Sequence, residues 1–300
     1  MYIMILSMSN LNSLRKNIVI LGASGWIGKN FVNSLNKIPN ANLFLYSFQN
    51  QKTIELDKDL VYKTQPIANI NKLNIDRVDS LIDLAFPTQD KINKLGDLNY
   101  TQQVEELLSI KKEFLCQYQP LTIFNTSSGA VHWQGKEINL YSIKKLEEEE
   151  LYIDYCKKSN TNLDIARVFG FLGKFYNFNN DYAFTSFIKQ AKTNKKITIK
   201  SSNFVYRSYI LFENLFSYYK YRTFNHTGSE INVFDACLNT FEIGYLASLI
   251  AEKFSATVDR KENPEGSDSY TGDCDFLTNF LKSKNLDWQI TDKKILNLIE

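Results

Sequence analysis

The sequence predicts an α/β fold, a doubly wound parallel sheet with a smaller, partly interleaved α/β region on its C-terminal side. Three observations carry this. Short apolar runs alternate with helix-length patterns through the first half of the chain. A glycine-rich turn joins the first of those runs to the first helix. After Gly173 the alternation loosens into shorter pieces separated by polar segments.

Taken in order, the first strand is Asn17–Leu21, followed by Gly22, Gly25 and Gly28 and an amphipathic helix over Trp26–Asn36, with Ile27, Phe31, Val32 and Leu35 on one face. Gly22 permits a tight turn, and Gly25 leaves room for a phosphate to approach the backbone. Gly28 lets the helix sit close to the sheet, while first-turn N–H groups point at the anion. This Rossmann-type arrangement is what a bound dinucleotide needs. Further strands fall at Asn42–Tyr46, Ser80–Leu84, Leu121–Thr126 and Leu163–Val168, with a weaker one at Asp59–Tyr62. Helices are expected over Asp97–Gln117 and Tyr141–Lys158; the charged run Lys145–Glu150 on the latter reads as its solvated face. Beyond Gly173 come a polar loop at Asn177–Asn180, a helix (Tyr182–Lys192) and strands at Ile197–Lys200 and Arg207–Ile210. A helix (Phe212–Arg222), a strand (Glu230–Phe234), a helix (Thr240–Phe254) and two short helical segments follow, with Lys261–Asp268 as an exposed loop. The implied domains are 14–173, which binds the cofactor, and 174–300, which binds substrate. The strand near 230–234 is a candidate to return to the main sheet.

Composition narrows the classes. The 300 residues are 44% apolar and 23% charged, with a net charge of +2 and no long basic stripe. That argues against nucleic acid or an anionic membrane as partner. No apolar run reaches the length of a membrane span. The opening MYIMILSM is apolar, but Arg15 and Lys16 follow it, the reverse of a secretory signal. Residues before Leu14 read as a loose extension, with Met8 an alternative start. Cys116, Cys156, Cys237 and Cys274 lie far apart and lack metal-ligand spacing, so they read as buried thiols in a reducing, cytoplasmic setting with no metal site.

The chemistry must come from groups at the carboxyl ends of the strands. Leu121–Thr126 runs into Ser127 and Ser128, and Tyr141 opens a helix with Lys145 four residues on, on the same face. Chance alone supplies about one or two Tyr-x-x-x-Lys pairs in such a composition, so position makes the case. A Ser128 hydroxyl can hydrogen-bond a carbonyl while the Tyr141 phenol gives or takes its proton. An ammonium at Lys145 would pull the phenol down from its usual pKa of about 10.

GASGWIG, DLAF at Asp83–Phe86, NTSSGAVH at Asn125–His132, YSIKK at Tyr141–Lys145, RVFGFLG at Arg167–Gly173 and RSYI at Arg207–Ile210 occur in order. Over about Asn17 to Phe254 the chain resembles the extended short-chain dehydrogenases/reductases, within them the NAD(P)-dependent epimerase/dehydratase group acting on nucleotide sugars. The resemblance implies a catalytic triad of Ser128, Tyr141 and Lys145. It implies cofactor contacts from Gly22, Ser24, Gly25, Trp26, Ile27, Gly28, Ser47, Ala85 and Phe86, with Tyr141 and Lys145 at the nicotinamide end. Arg207 would meet the substrate diphosphate, and Asn177, Tyr182, His132 and Ser128 would line the sugar. A homodimer through Asp97–Gln117 and Tyr141–Lys158 is implied too, with Leu107, Leu108, Phe114, Leu151, Ile153 and Tyr155 as apolar surface.

Three departures refine the expectation. No Asp or Glu follows the second strand until Glu55, which favours NADP(H) over NAD(H), with Lys52 or Lys29 to pair a 2′-phosphate. Gln103 stands where the group usually has Asn on its long central helix, with Asn99 a second choice. Gly129 and Ala130 occupy the places of the acid–base pair that dehydratases need, and His132 and Trp133 replace the more usual Tyr-Gly. His132, one of two histidines with His226, is a pocket-shaping imidazole or an extra acid/base. The resulting expectation is reduction of the C4 keto group of a nucleotide-linked deoxysugar. A C4-epimerase with tightly held NAD and a non-catalytic cofactor sensor stand as alternatives.

Overall fold

The computed structural model describes residues 16–57, 60–132, 139–178, 182–225, 228–260 and 266–299. Expectations at Met8, Leu14, Trp133, Asn179, Asn180 and His226, and for most of the Lys261–Asp268 loop, lie outside these residues.

The first half reads β1 (Lys16–Leu21), α1 (Trp26–Leu35), β2 (Ala41–Ser47), β3 (Thr53–Glu55), β4 (Val61–Lys63), β5 (Gln65–Pro66), β6 (Ser80–Asp83), α2 (Asp90–Leu95), α3 (Asp97–Tyr118) and β7 (Thr122–Ser128). Then follow α4 (Leu140–Lys158), β8 (Asn162–Val168), β9 (Gly170–Leu172), α5 (Ala183–Asn194), β10 (Lys196–Ile199), β11 (Phe204–Leu211), α6 (Phe212–Asn225) and β12 (Ile231–Ala236). The chain finishes with β13 (Asn239–Glu242), α7 (Ile243–Phe254), β14 (Thr257–Arg260), β15 (Ser267–Tyr270), α8 (Asp275–Ser283) and α9 (Asp292–Leu296).

Seven strands form the main sheet in the order β12-β8-β7-β6-β1-β2-β5. β1 pairs in parallel with both β2 and β6, and β6 pairs in parallel with β7. The expected doubly wound α/β class is therefore the observed one. The strand expected near 230–234 is β12, at one edge of this sheet. The central strands are covered on both faces: Ile18–Leu21, an unbroken apolar run, and Ser80–Asp83 are buried throughout.

The chain divides into two compact units that interleave along the sequence. The first takes in the described residues up to Asn125 with Leu151–Leu163 and Gly228–Glu230; the second takes in Thr126–Glu150, Asp164–Thr227 and the described residues from Ile231 onward. In the first unit, Phe31 of α1 packs its ring 5.6 Å from that of Phe124 on β7. In the second, a four-stranded sheet is built on β11, which pairs antiparallel with β13 and parallel with β9 and β15.

Three local expectations are corrected. Thr240–Glu242 extend β13 instead of opening a helix. The Glu242 carboxylate accepts the Gly244 N–H at 2.7 Å, so it caps α7 and fixes the start at Ile243. Ser267 and Asp268, expected in a loop, pair in β15 with β11, a partner far away in sequence that local periodicity does not reveal. The run Lys145–Glu150 is not a solvated face: Lys145, Glu148 and Glu149 are buried, each in an ion pair.

The Gly22–Gly28 turn owes its shape to contact. Gly22 has φ +78, and a Cβ there would lie 2.8 Å from the Leu84 carbonyl carbon; a Cβ on Gly28 would overlap the Gly22 carbonyl oxygen. A Cβ on Gly25 meets its nearest atom at 3.2 Å. Gly28→Ala is expected to cost about 1–3 kcal/mol by displacing α1 from the sheet. Gly25→Ala should cost visibly less, and thermal melting of the two variants checks the order.

Candidate active site

In the first unit the turn after β1 is locked from two sides. Ala23 N–H donates to the Tyr46 carbonyl at 3.0 Å, and Gly25 N–H donates back to the Gly22 carbonyl at 2.9 Å. Gly25 stands at the N-cap of α1 without a side chain, and no acidic residue lies in the first turn. That leaves the Ser24–Ile27 backbone suited to an anion, with the helix dipole favouring negative charge. Beside it is a cavity of about 260 Å³ lined by Ser24, Ser47, Phe48, Lys52, Phe86, Lys91 and Gln103, among others, with no acidic side chain in the lining. Lys29 is not in that lining. Lys91, which sequence reasoning passed over, is, because it lies on the short unanticipated helix α2. Asn99 is exposed and bonds the Leu95 carbonyl.

The loop carrying Ala85 and Phe86 stands on a buried charge. Asp83, fully buried at the end of β6, accepts the Ala85 N–H at 3.0 Å, the Tyr152 hydroxyl at 2.6 Å and the Lys111 ammonium at 2.6 Å. Lys111 also donates to the Ala85 carbonyl at 2.8 Å. Its place was legible: Tyr100, Val104, Leu107, Lys111 and Phe114 keep the spacing of one buried helix face. Leu107 and Phe114 are buried in this face, so they are not the exposed dimer surface expected of them. Their burial follows from packing α3 on its own unit.

In the second unit Ser128, Tyr141 and Lys145 are placed by capping and pairing. Asn139 caps α4, accepting the Ser142 N–H at 2.9 Å, and the Ser142 hydroxyl donates to the Ala130 carbonyl at 2.9 Å. This ties the helix start to the turn after β7 and brings Tyr141 into hydrogen bonding with Ser128. Ser128 Oγ also accepts the Ala130 N–H at 3.2 Å and lies 3.4 Å from the Tyr270 hydroxyl. The Lys145 ammonium donates to the Thr126 carbonyl at 3.0 Å and to the fully buried Glu148 carboxylate at 2.8 Å.

That pair changes the electrostatics expected of the site. Burial pushes the Tyr141 phenol up to about 12; the Ser128 hydrogen bond works against the rise and the Glu148 charge adds to it. The expected fall toward neutral pH is absent because burial dominates, and the ammonium that should cause the fall is paired with the Glu148 carboxylate, whose charge adds to the rise. Tyr270, a phenol that sequence reasoning missed, is also pushed up to about 12 by burial. Its register opposite Arg207 is set by the β11–β15 pairing, which left no local signal.

The remaining expected contacts are each engaged within this unit. Arg207 pairs with Asp268 at 2.8 Å, and its guanidinium carbon lies 6.0 Å from the Tyr270 ring centre. His132 Nε2 lies 2.6 Å from the Asp235 carboxylate, and its ring stacks on Phe169. Arg167 grips Glu149 with two bonds of 3.0 and 2.6 Å. Asn177 and Tyr182 are exposed. Among the described residues no group of His, Cys, Asp or Glu could hold a metal ion, and no helix is long and apolar enough to cross a membrane.

No protein-family model matches the chain, and no curated protein matches it. Solved structures do. The UDP-glucuronic acid 4-epimerase from Bacillus cereus, in complex with UDP-glucuronic acid and NAD, is 17% identical with a TM-score of 0.73, over 94% of this chain and 97% of that one. The UDP-glucose 4-epimerase from Thermotoga maritima, with UDP-glucose, is 13% identical with a TM-score of 0.71, over 94% and 97%. RMD from Pseudomonas aeruginosa, complexed with NADPH, is 17% identical with a TM-score of 0.68, over 95% and 98%. The chain thus has the fold of these three proteins; at such identities the likeness speaks for fold alone.

Removing one partner of a buried ion pair leaves a bare charge. Glu148→Ala is therefore expected to cost about 3–5 kcal/mol. Glu147→Ala, whose carboxylate pairs with Lys144 at a partly exposed position, should cost no more than about 1 kcal/mol. Urea denaturation of both variants measures the contrast.

Proposed function

We propose that this protein is an NADPH-dependent reductase of the C4 keto group of a nucleotide-diphosphate-linked deoxysugar. The observation that carries the reading is the Ser128–Tyr141 hydrogen bond, with the phenol held in its acid form by burial and by Glu148. A phenol of that kind is suited to give a proton to an alkoxide and poorly suited to take one from a hydroxyl.

The glycine turn fits a pyrophosphate, since a Cβ at Gly28 would meet the Gly22 carbonyl and no side chain stands at Gly25. The acid-free cavity with Lys52 and Lys91 suits a 2′-phosphate, which favours NADP(H) over NAD(H). When bound, that cofactor supplies the hydride. Ser128 would polarise the sugar carbonyl through its hydroxyl, and Tyr141 would protonate the oxygen as it becomes an alkoxide. Lys145, held by Thr126 and Glu148, would position the helix turn and the ribose instead of ionising the phenol. Arg207 would exchange its exposed partner Asp268 for the substrate diphosphate, with His132, Asn177 and Tyr182 around the sugar. We further propose a cytoplasmic homodimer, for which the less buried Leu108, Leu151, Ile153 and Tyr155 remain as apolar surface.

The second reading is a C4-epimerase that keeps NAD bound. It is favoured by the fold likeness to two 4-epimerases.

Turnover with keto-sugar nucleotides and NADPH tests the proposal. Tyr141→Phe should lower the rate about 10²–10⁴-fold. Lys52→Ala and Lys91→Ala together should raise the KM for NADPH about tenfold or more and leave that for NADH unchanged, as expected for lost charge-assisted bonds. Interconversion of a hexose nucleotide at C4 without net cofactor consumption would reject reduction in favour of epimerisation.

A further inference from the structure

Outside the candidate active site, the second unit holds two cysteines far apart in sequence and adjacent in space. Cys237 follows β12 and is fully buried; Cys274 is half-buried at the N-cap of α8. Their sulfurs lie 2.8 Å apart. The other two thiols differ: Cys116 is exposed, against expectation, and Cys156 is buried.

The surroundings distinguish the two sulfurs. Cys274 opens a nine-residue helix, whose amide end favours a thiolate. Its pKa is lowered by hydrogen bonding with Cys237 and Ser208, against burial and the Asp273 and Asp235 carboxylates. Cys237 is pushed strongly the other way by the same thiol contact and by burial. The half-buried sulfur at the helix start is thus the one a small molecule can reach, and the buried one is shielded behind it. Ser208 and Asp235 hold the frame: Gly272 N–H donates to Ser208 Oγ at 3.1 Å, and Asp273 N–H donates to Asp235 at 2.9 Å.

We propose that Cys237 and Cys274 form a redox-active dithiol that closes to a disulfide by exchange with a small-molecule disulfide, Cys274 attacking and Cys237 resolving. The Cys274 thiolate attacks one sulfur of the small disulfide and displaces the other as a thiolate, leaving a mixed disulfide on Cys274. Cys237 then loses its proton and attacks the Cys274 sulfur, expelling the second small thiol. The protein gives up two electrons and two protons, and the small disulfide becomes two thiols. Closure needs the sulfurs to approach to about 2.0 Å, less than a bond length from where they stand. It pins the end of β12 to the segment just after Tyr270, whose hydroxyl lies 3.4 Å from Ser128 Oγ. The dithiol does not depend on the enzymatic reading.

The test is incubation of the full chain in oxidised glutathione, followed by peptide mapping by mass spectrometry. The expected result is a Cys237–Cys274 linked peptide that reverts with dithiothreitol. Cys237→Ser should stop at glutathione on Cys274, and Cys274→Ser should leave Cys237 unmodified. The proposal is overturned if both thiols stay free while exposed Cys116 takes up glutathione. It is equally overturned if glutathione accumulates on wild-type Cys274 without the link. Should a variant fail to fold, the wild-type map decides alone.

Discussion

A buried ammonium has to be matched by a buried carboxylate, and this constraint shapes the second unit around Lys145. Its charge sits where water is excluded, so it is held by the Thr126 carbonyl at the end of β7 and by Glu148 one turn along α4. Those bonds fix the roll of α4, and the roll fixes where Tyr141 stands relative to Ser128. The carboxylate of the same pair adds to the rise that burial gives the Tyr141 phenol. The ion pair therefore helps to set the geometry of the candidate catalytic hydroxyl, while burial is the main reason the phenol holds its proton.

The first unit obeys the same rule. Asp83 ends a strand buried on both faces, and it is tolerable there because Lys111, Tyr152 and the Ala85 N–H all point at it. The loop it fixes passes Phe86 into the acid-free cavity beside the glycine turn. Charge buried at strand ends acts here as a positioning device, and the cost of removing any one partner falls on the loop it holds.

The sequence made the parallel sheet legible because strands such as Ile18–Leu21 are continuous apolar runs, and the glycine turn legible because its spacing is sterically dictated. Ser128, Tyr141 and Lys145 could be picked out since each sits next to a strand end or helix start that periodicity reveals. Glu148 was misread as solvated, because a charged run looks alike whether water or a partner neutralises it. Tyr270 and the β15 strand were invisible, since β11 selects them across a long stretch of chain. Cys237 and Cys274 are brought together in the same non-local way.

The Tyr141 phenol keeps its proton because burial raises its pKa and the Glu148 charge adds to the rise. Removing that negative charge favours the phenolate, so the Tyr141 pKa should fall and a reaction that needs the acid form should fail at lower pH. The direct measurement is the pH dependence of keto-sugar reduction by the wild type and by Glu148→Gln at saturating substrate and NADPH. The alkaline limb of the variant should lie at lower pH than that of the wild type. Superimposable limbs, or a limb displaced to higher pH, would contradict the role given to this ion pair.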